Sequence, residues 1–188
     1  MGSKKRDILI NTALELFYKY GYHATGIEKI LSVSGVSKMT LYKHFKSKNE
    51  LILATMRRRD EQFRNWFMKE VENRGDTPRE RILAMFDILD EWFIEKNFHG
   101  CLFINATAEY SKPDDPIHAF AVEHKRIFTA YICEILAVDT DLVNPESLAQ
   151  QLMMLIDGAI VTAQMSGPEK AVNRARETAE TILNSAIT

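Results

Sequence analysis

Apolar residues in the first part of the chain recur every three or four positions, which is the spacing of one helix face. The positions that carry this pattern in the first helix are Leu9, Ala13, Leu16, Phe17 and Tyr20. They predict an amphipathic helix over about residues 4–20. Gly21 ends this helix, because glycine accepts the left-handed conformation that closes a helix. The chain therefore opens on a helix with one buried face.

Two short helices follow the first. Thr25 and Glu28 have the spacing of a capping box, which predicts a helix over about residues 26–33. Ser34-Gly35-Val36 breaks it, because glycine tolerates a positive φ and valine can fill the corner between two helices. The next helix, over about 38–45, is capped by Ser37. Its Leu41 and Phe45 lie one turn apart and face the core.

Six further helices and no convincing strand are predicted in the rest of the chain. A fourth helix begins at the Ser47–Glu50 capping box and continues to about Asn73, and Thr77-Pro78-Arg79-Glu80 begins a fifth that reaches about Lys96. Turns rich in proline and glycine separate the later helices, at about 102–110, 117–137, 145–165 and 169–186. The predicted fold class is all-α, with about nine helices. A three-helix N-terminal domain is joined by the long helix 4 to a C-terminal helical domain.

The composition is that of a helical globular protein. Of 188 residues, 46% are hydrophobic and 27% are charged, and no run of about 18 apolar residues predicts a membrane span. The start of the chain lacks the apolar run of a signal peptide, so we expect a cytoplasmic protein. Cys101 and Cys133 are isolated from each other, which indicates two small buried hydrophobes. No metal site and no cofactor are predicted.

The net charge of −2 hides a strong asymmetry along the chain. Residues 1–59 contain twelve Lys and Arg against four acids, a balance of +8, and residues 60–188 carry −10. A small basic domain on a larger acidic body is what a DNA-binding protein shows, because phosphate contacts need cations only where the duplex lies. Chance clustering of charges on a solvated surface is the alternative.

The third helix meets the geometric demand of a helix-turn-helix. With Leu41 and Phe45 directed inward, Lys38, Met39 and Thr40 lie in its first turn, where a recognition helix contacts base edges. Lys48 lies at the start of helix 4, where the positive end of the helix dipole also favours a phosphate. From spacing alone, a helical hairpin on the surface stays an equal alternative.

The residues themselves narrow that choice. The segments TGIEKI over residues 25–30 and GVSKMTLYKHFKSKNEL over 35–51 closely resemble the DNA-binding signature of the TetR family, in its AcrR-like form. The resemblance covers about residues 5–52 at motif level, and the rest agrees in length, helix count and acidic character. It implies a DNA-binding helix-turn-helix domain over 1–50 and an effector-binding and dimerisation domain over 51–188.

The resemblance also implies roles for particular side chains of the DNA-binding domain. Tyr42, His44 and Lys48 are expected to hold the phosphate backbone with help from Thr25 and Thr40. The residues expected nearest the bases are Ser37, Lys38, Met39 and Lys43. Met39 offers only apolar contact and Lys38 is a flexible point charge, so base specificity is expected to depend on few polar side chains.

A homodimer through helices 8 and 9 is a second implication of the resemblance, and the sequence permits it. Helix 8 is apolar over a face broader than one intramolecular contact needs, and helix 9 adds small residues that allow close approach. The predicted interface residues are Leu152, Leu155, Ile156, Ala159, Ile160, Ala175, Ala179 and Ile182. A monomeric bundle with a buried helix 8 is the alternative.

A small-molecule pocket in the C-terminal domain is the third implication. Aromatic and methionine residues concentrate between helices 4 and 8, and most of them are expected to be core. The candidate lining residues are Trp66, Phe67, Phe86, Trp92, Phe103, Asn105, Glu109, Phe128 and Tyr131. Glu109 could equally be a solvated residue at a helix end, and Asn105 a satisfied core amide.

These observations combine into one functional hypothesis. The chain is predicted to be a homodimeric repressor that a small, largely hydrophobic effector releases from a pseudo-palindromic operator. The alternative is a TetR-like global or constitutive regulator whose C-terminal domain binds a protein partner or no effector. An enzyme is not expected, because the chain shows no paired-carboxylate or nucleophile motif, and His118 and His124 lie on different faces of helix 7.

Overall fold

A computed structural model describes residues 2–139, 143–168 and 171–186. This part of the chain forms nine helices and no strand. The helices are α1 (Gly2–Tyr20), α2 (Ile27–Ser34), α3 (Lys38–His44), α4 (Lys48–Arg74), α5 (Pro78–Phe93), α6 (Leu102–Glu109), α7 (Pro116–Leu136), α8 (Pro145–Ser166) and α9 (Ala171–Ser185). The all-α fold class and the helix count predicted from the sequence are confirmed.

The predicted helix ends follow from local capping chemistry. The Ser37 side chain accepts a hydrogen bond from the N–H of Thr40, and Thr77 and Glu80 form both halves of a capping box. Gly35 closes α2 in the left-handed conformation, with φ of 65°. Asn144 caps α8 through the N–H of Ser147. Each of these boundaries lies within two residues of its prediction.

Two details of the predicted boundaries are wrong. The capping box of Thr25 and Glu28 does not form: Gly26 is the N-cap of α2 without a side-chain bond, and Thr25 is 2% exposed. Its hydroxyl donates instead to the carbonyl of Leu16 in α1. α5 ends at Phe93 and not near Lys96, and the rings of Trp92 and Phe93 pack against Phe98 in the following turn.

The chain divides into two compact units. The first comprises residues 1–63 and 102–123, and the second comprises 64–101 and 124–188, so the three boundaries lie within α4, at the start of α6 and within α7. In the first unit α1 packs on α2 and α3, and α6 belongs with these three helices. In the second, α5, α8 and α9 pack on one another. The division at residue 50 predicted from the sequence stays a prediction.

The described residues show neither a membrane span nor a metal cluster. No helix among them is long and apolar enough to cross a bilayer. Within the same ranges, no three His, Cys, Asp or Glu side chains are grouped so that they could hold a metal ion.

Candidate nucleic-acid interface

The orientation of α3 is set by two buried side chains. Leu41 is fully buried and Phe45, which ends the helix, is 3% exposed. The guanidinium of Arg6 in α1 lies 5.3 Å from the centre of the Phe45 ring, which adds a cation–π contact to the apolar packing. With this face buried, the opposite face of α3 is directed to solvent.

The solvent face of α3 carries the side chains that sequence analysis assigned to DNA. Met39 is 83% exposed and Tyr42 is 45% exposed, and Lys38 and Lys43 are exposed as well. We call these four residues the recognition face. A long apolar side chain, two cations and a phenol on one helix can contact both base edges and phosphates in a major groove.

Several polar groups of the first turn of α3 already have partners within the chain. The Nζ of Lys38 donates to Oε1 of Glu28 in α2 over 2.7 Å. This hydrogen bond, with the attraction of the carboxylate, raises the pKa of Lys38 above its usual value. The hydroxyls of Ser37 and Thr40 lie 2.9 Å apart and bond to each other. Met39 projects from the same turn with 83% of its surface exposed.

Lys48 lies at the first residue of α4, close to the loop that follows α1. Its Nζ donates to the carbonyl oxygen of His23 over 3.5 Å. Partial burial lowers the pKa of Lys48, and the negative charge of Glu109 opposes this change only in part. The N-terminus of α4 lies at the same place, with Ser47 accepting from the N–H of Glu50. This corner therefore combines a cation with the positive end of a helix dipole, which favours a phosphate.

Two other predicted phosphate contacts differ in their exposure. His44 is half-buried at the end of α3, where its ring lies 6.4 Å from that of Phe45. The Thr25 side chain is buried and its hydroxyl is engaged with α1, so this side chain does not reach the surface where a duplex would lie. Thr25 therefore shapes the domain from within.

Sequence analysis missed a polar cluster of this unit, which forms between α6 and the loop after α1. The carboxylate of Glu109 accepts hydrogen bonds from the backbone N–H of Tyr22 over 2.8 Å and of His23 over 2.6 Å. It also lies 2.9 Å from Nδ1 of His23. Tyr110 stacks its ring on His23 with centroids 4.7 Å apart. No periodic pattern could reveal this cluster, because its members lie 86 and 87 residues apart in the chain.

The same cluster perturbs the acid–base chemistry of its members. Burial by itself would raise the pKa of Glu109, but the hydrogen bonds from His23 and Tyr22 outweigh it and the pKa is lowered. Burial raises the pKa of Tyr110. Glu109 was a candidate for the effector pocket, and its carboxylate is instead engaged with the loop after α1.

The remaining pocket candidates lie in both units. Phe103 is buried in the first unit beside Phe120, and Asn105 is half-buried there. Within the second unit the Phe67 and Phe128 rings make an edge contact at 5.7 Å. The other candidates in the second unit are Trp66, Phe86, Trp92 and Tyr131. Burial raises the pKa of Tyr131 to about 12, and its hydroxyl donates to the carbonyl of Met68 over 3.5 Å. A pocket lined by all of these residues stays a prediction.

Most of the residues predicted for a dimer interface are buried within the chain itself. Six of them are between 0% and 8% exposed: Leu152, Ile156, Ala159, Ile160, Ala175 and Ala179. They lie in helices that pack on one another as α5, α8 and α9, and only Leu155 and Ile182 are half-buried. The outer face of α8 and α9 is the part of these helices that stays accessible, and the predicted dimer interface stays a prediction.

That outer face has a pattern of its own. Met154 and Met165 of α8 are 67% and 80% exposed, and Gly158 and Thr162 between them are exposed too. Their spacing of three or four residues places the four residues along one line of the helix. A Cβ added at Gly158 would meet nothing within 4 Å. We call these four residues the outer stripe of α8.

The chain is similar to known transcription regulators over both parts. Residues 9–55 match the sequence profile of the bacterial regulatory proteins of the tetR family, and 78–179 match that of the tetracyclin repressor-like C-terminal domain. The HTH-type transcriptional regulator YjdC of Escherichia coli is 25% identical over 97% of this chain and 95% of its own length. The transcriptional activator FasR of Mycolicibacterium smegmatis is 35% identical over 52% of this chain and 43% of its own length.

A solved structure agrees over almost the whole fold. SCO4454, a TetR-family transcriptional regulator from Streptomyces coelicolor, superposes with a TM-score of 0.91 and 29% identity over 98% of this chain and 96% of that one. The fold and the exposed face of α3 define a helix-turn-helix transcription regulator. The chain belongs to the TetR family, and the resemblance found in the sequence is confirmed.

The ion pair between Glu28 and Lys38 leads to a first prediction. Glu28→Gln removes a negative charge beside the recognition face and releases Lys38. On duplex DNA of random sequence Lys38 has no cognate base to contact, so its ammonium group can neutralise a phosphate instead. We expect tighter binding to duplex DNA of random sequence. The slope of log affinity against log salt should steepen by about 0.9, the value for one further phosphate contact. Fluorescence anisotropy across a salt series measures both quantities.

Glu15→Gln is the matched control, because Glu15 is an exposed acid on α1 of the same unit. It should leave the salt slope at the wild-type value. An unchanged slope for Glu28→Gln would show that Lys38 contacts phosphate equally well with and without its partner.

Proposed function

We propose that this TetR-family regulator is a homodimeric repressor of a pseudo-palindromic operator, which a small hydrophobic effector releases. The observation that carries the DNA-binding part is the solvent face of α3, fixed by Leu41 and Phe45 beneath it. A helix held this way can enter a major groove with its first turn against the bases. The cation at the start of α4 lies where it can contact the phosphates that flank the groove.

The recognition face and the residues next to it support a division of roles. Tyr42, His44 and Lys48 are suited to phosphate contacts with help from Thr40, and Ser37, Lys38, Met39 and Lys43 are suited to base edges. Met39 has only apolar surface to offer, and the 5-methyl group of thymine is the apolar feature of the major groove. An operator half-site with thymine opposite Met39 is therefore proposed.

Substitutions in α3 test this proposal. After operator sequences are selected from a random DNA pool, Tyr42→Ala should weaken binding to operator and to random duplex about equally. Lys38→Ala should mainly change sequence preference, because base contacts specify and phosphate contacts position. Loss of one good base contact costs about 1–3 kcal/mol of discrimination. Anisotropy titrations give both affinities, and circular dichroism checks the fold.

The roles would be reassigned if the two variants changed both affinities alike. A wild-type protein that selects no sequence would contradict the proposal as a whole. Replacing operator thymines by deoxyuridine, which lacks the methyl group, should weaken wild-type binding and leave Met39→Ala unaffected.

The outer stripe of α8 supports the homodimer. Two exposed methionines, a glycine with open space above it and a threonine form a face that offers apolar surface and close approach. A two-fold dimer places the same patch on both chains, so this stripe would contact its own copy. Two helix-turn-helix domains related in this way can bind half-sites about 34–36 Å apart or a multiple of that distance.

A charge in the stripe tests the dimer. In Gly158→Glu two carboxylates would be buried near the two-fold axis, so we expect a monomer at concentrations where the wild type is dimeric. Operator affinity should fall with it, whereas the helical content measured by circular dichroism should be kept, because Gly158 is exposed and a Cβ there meets nothing within 4 Å. Sedimentation velocity measures the assembly. Asn97→Glu, with the same added charge at an exposed position after α5, should stay dimeric.

The effector is supported by the aromatic residues of the second unit. Both tryptophans of the chain, Trp66 and Trp92, are pocket candidates, so tryptophan fluorescence reports directly on the proposed site. We expect apolar small molecules that change this fluorescence also to weaken operator binding. By linkage, operator DNA should weaken their binding by the same factor.

Trp66→Phe and Trp92→Phe each leave one tryptophan, so the fluorescence of each variant reports on one position alone. Each variant serves as the control for the other. A regulator that binds its operator and responds to no molecule in such a screen would favour the constitutive alternative.

A further inference from the structure

The loop between α1 and α2 lies along α6 and is bonded to it at both ends of that helix. The hydroxyl of Tyr22, whose side chain is fully buried, donates to the carbonyl of Leu102 over 3.1 Å. At the other end, the Glu109 carboxylate accepts from the N–H groups of Tyr22 and His23. The backbone of this loop is thereby fixed relative to the two ends of one short helix.

The chemistry of this contact requires a carboxylate. Two consecutive backbone N–H groups and a ring nitrogen of His23 converge on its two oxygens, and an ionised carboxylate offers acceptors only. A glutamine of the same shape would turn an NH₂ group toward one of these donors. Hydrogen bonds to a charged group are also the stronger kind.

The backbone at Gly21 permits the close approach. Gly21 has φ of 86°, in the left-handed region that glycine adopts without strain. A Cβ at this position would lie 2.9 Å from Oε1 of Glu109. A larger residue would therefore meet both strain and the carboxylate.

The same loop is joined to the phosphate-binding corner. Lys48 at the start of α4 donates to the carbonyl of His23, the residue whose N–H donates to Glu109. The loop also leads directly into Gly26, the N-cap of α2. A displacement of the loop would move the partner that holds the Lys48 ammonium group.

We propose that Glu109 is a positioning residue for DNA binding, which holds the loop after α1 so that Lys48 is placed for a phosphate. This inference rests on the proposed operator binding and deepens it. It gives α6 a direct connection to the DNA-binding surface, through the loop after α1. A change at the end of α6 would then alter operator affinity through Glu109.

The test compares isosteric variants on the selected operator. Glu109→Gln should weaken operator binding about tenfold, because Lys48 then occupies its phosphate-contacting position in only a minority of the molecules. The slope of log affinity against log salt should become less steep by about 0.9, the value for the loss of one phosphate contact. Glu15→Gln, the control with the same change of charge, should bind like the wild type. Unchanged or tighter binding by Glu109→Gln would overturn the inference.

A double-mutant cycle separates positioning from a general loss of structure. If Glu109 acts through Lys48, Glu109→Gln should cost less than twofold in a Lys48→Met background. A tenfold loss that persists in that background would show a merely structural role and overturn the inference. His23→Ala, which removes the ring but keeps both backbone donors, should cost less than threefold.

Two further measurements keep the test decisive. If Glu109→Gln does not fold, Glu109→Asp replaces it in the test, because aspartate keeps the charge on a shorter side chain. Its operator affinity should lie between that of the wild type and that of a Lys48→Met variant. In the unmodified protein the amides of Tyr22 and His23 should exchange slowly with solvent, and fast exchange of both would overturn the inference. A wild type that binds no operator contradicts the proposed function itself, whereas equal binding by wild type and Glu109 variants contradicts only this inference.

Discussion

The DNA-binding surface depends on the burial of Leu41 and Phe45 beneath α3. A helix of seven residues is too short to be stable alone, since isolated helices below about 12 residues are marginal in water. Each fully buried side chain of this size contributes about 1.5–3 kcal/mol relative to exposure. Packing therefore supplies what helix propensity cannot, and it also fixes which side chains of α3 are directed outward. The identity of those side chains can then vary without loss of the fold.

Helix positions could be predicted because their signals are local. Ser37, Ser47, Thr77 and Asn144 each stand beside the backbone N–H groups that they cap, so spacing alone identifies them. Thr25 has the same spacing and fails, because its hydroxyl is buried and bonded to α1. A capping motif competes with tertiary partners, and a sequence pattern does not show which partner is nearer.

The interface residues illustrate a second limit. The apolar face of α8 is broad, but hydrophobic periodicity does not distinguish burial within a chain from burial between chains. Leu152 and Ile156 belong to the first kind, and the protein's own helices cover them. Met154 and Met165 remain exposed. The contact between Glu109 and His23 was unpredictable for a related reason, since it joins elements that lie far apart in the chain.

The net charge of the DNA-binding part is smaller when it is counted over the compact unit than when it is counted over the first 59 residues. The first 59 residues carry +8, but the compact unit that contains α3 also includes residues 102–123 with their four acids, and its net charge is +3. Glu28 and Glu109 further restrain cations of this unit, Lys38 through a direct bond and Lys48 through the loop. A modest net charge limits non-specific attraction to DNA, which grows with each phosphate neutralised. In the proposed homodimer two such units would act together, and linking two sites raises affinity without new contacts. The modest charge of one unit is thus consistent with the proposed homodimer, in which specificity comes from two weak contacts in place of one strong one.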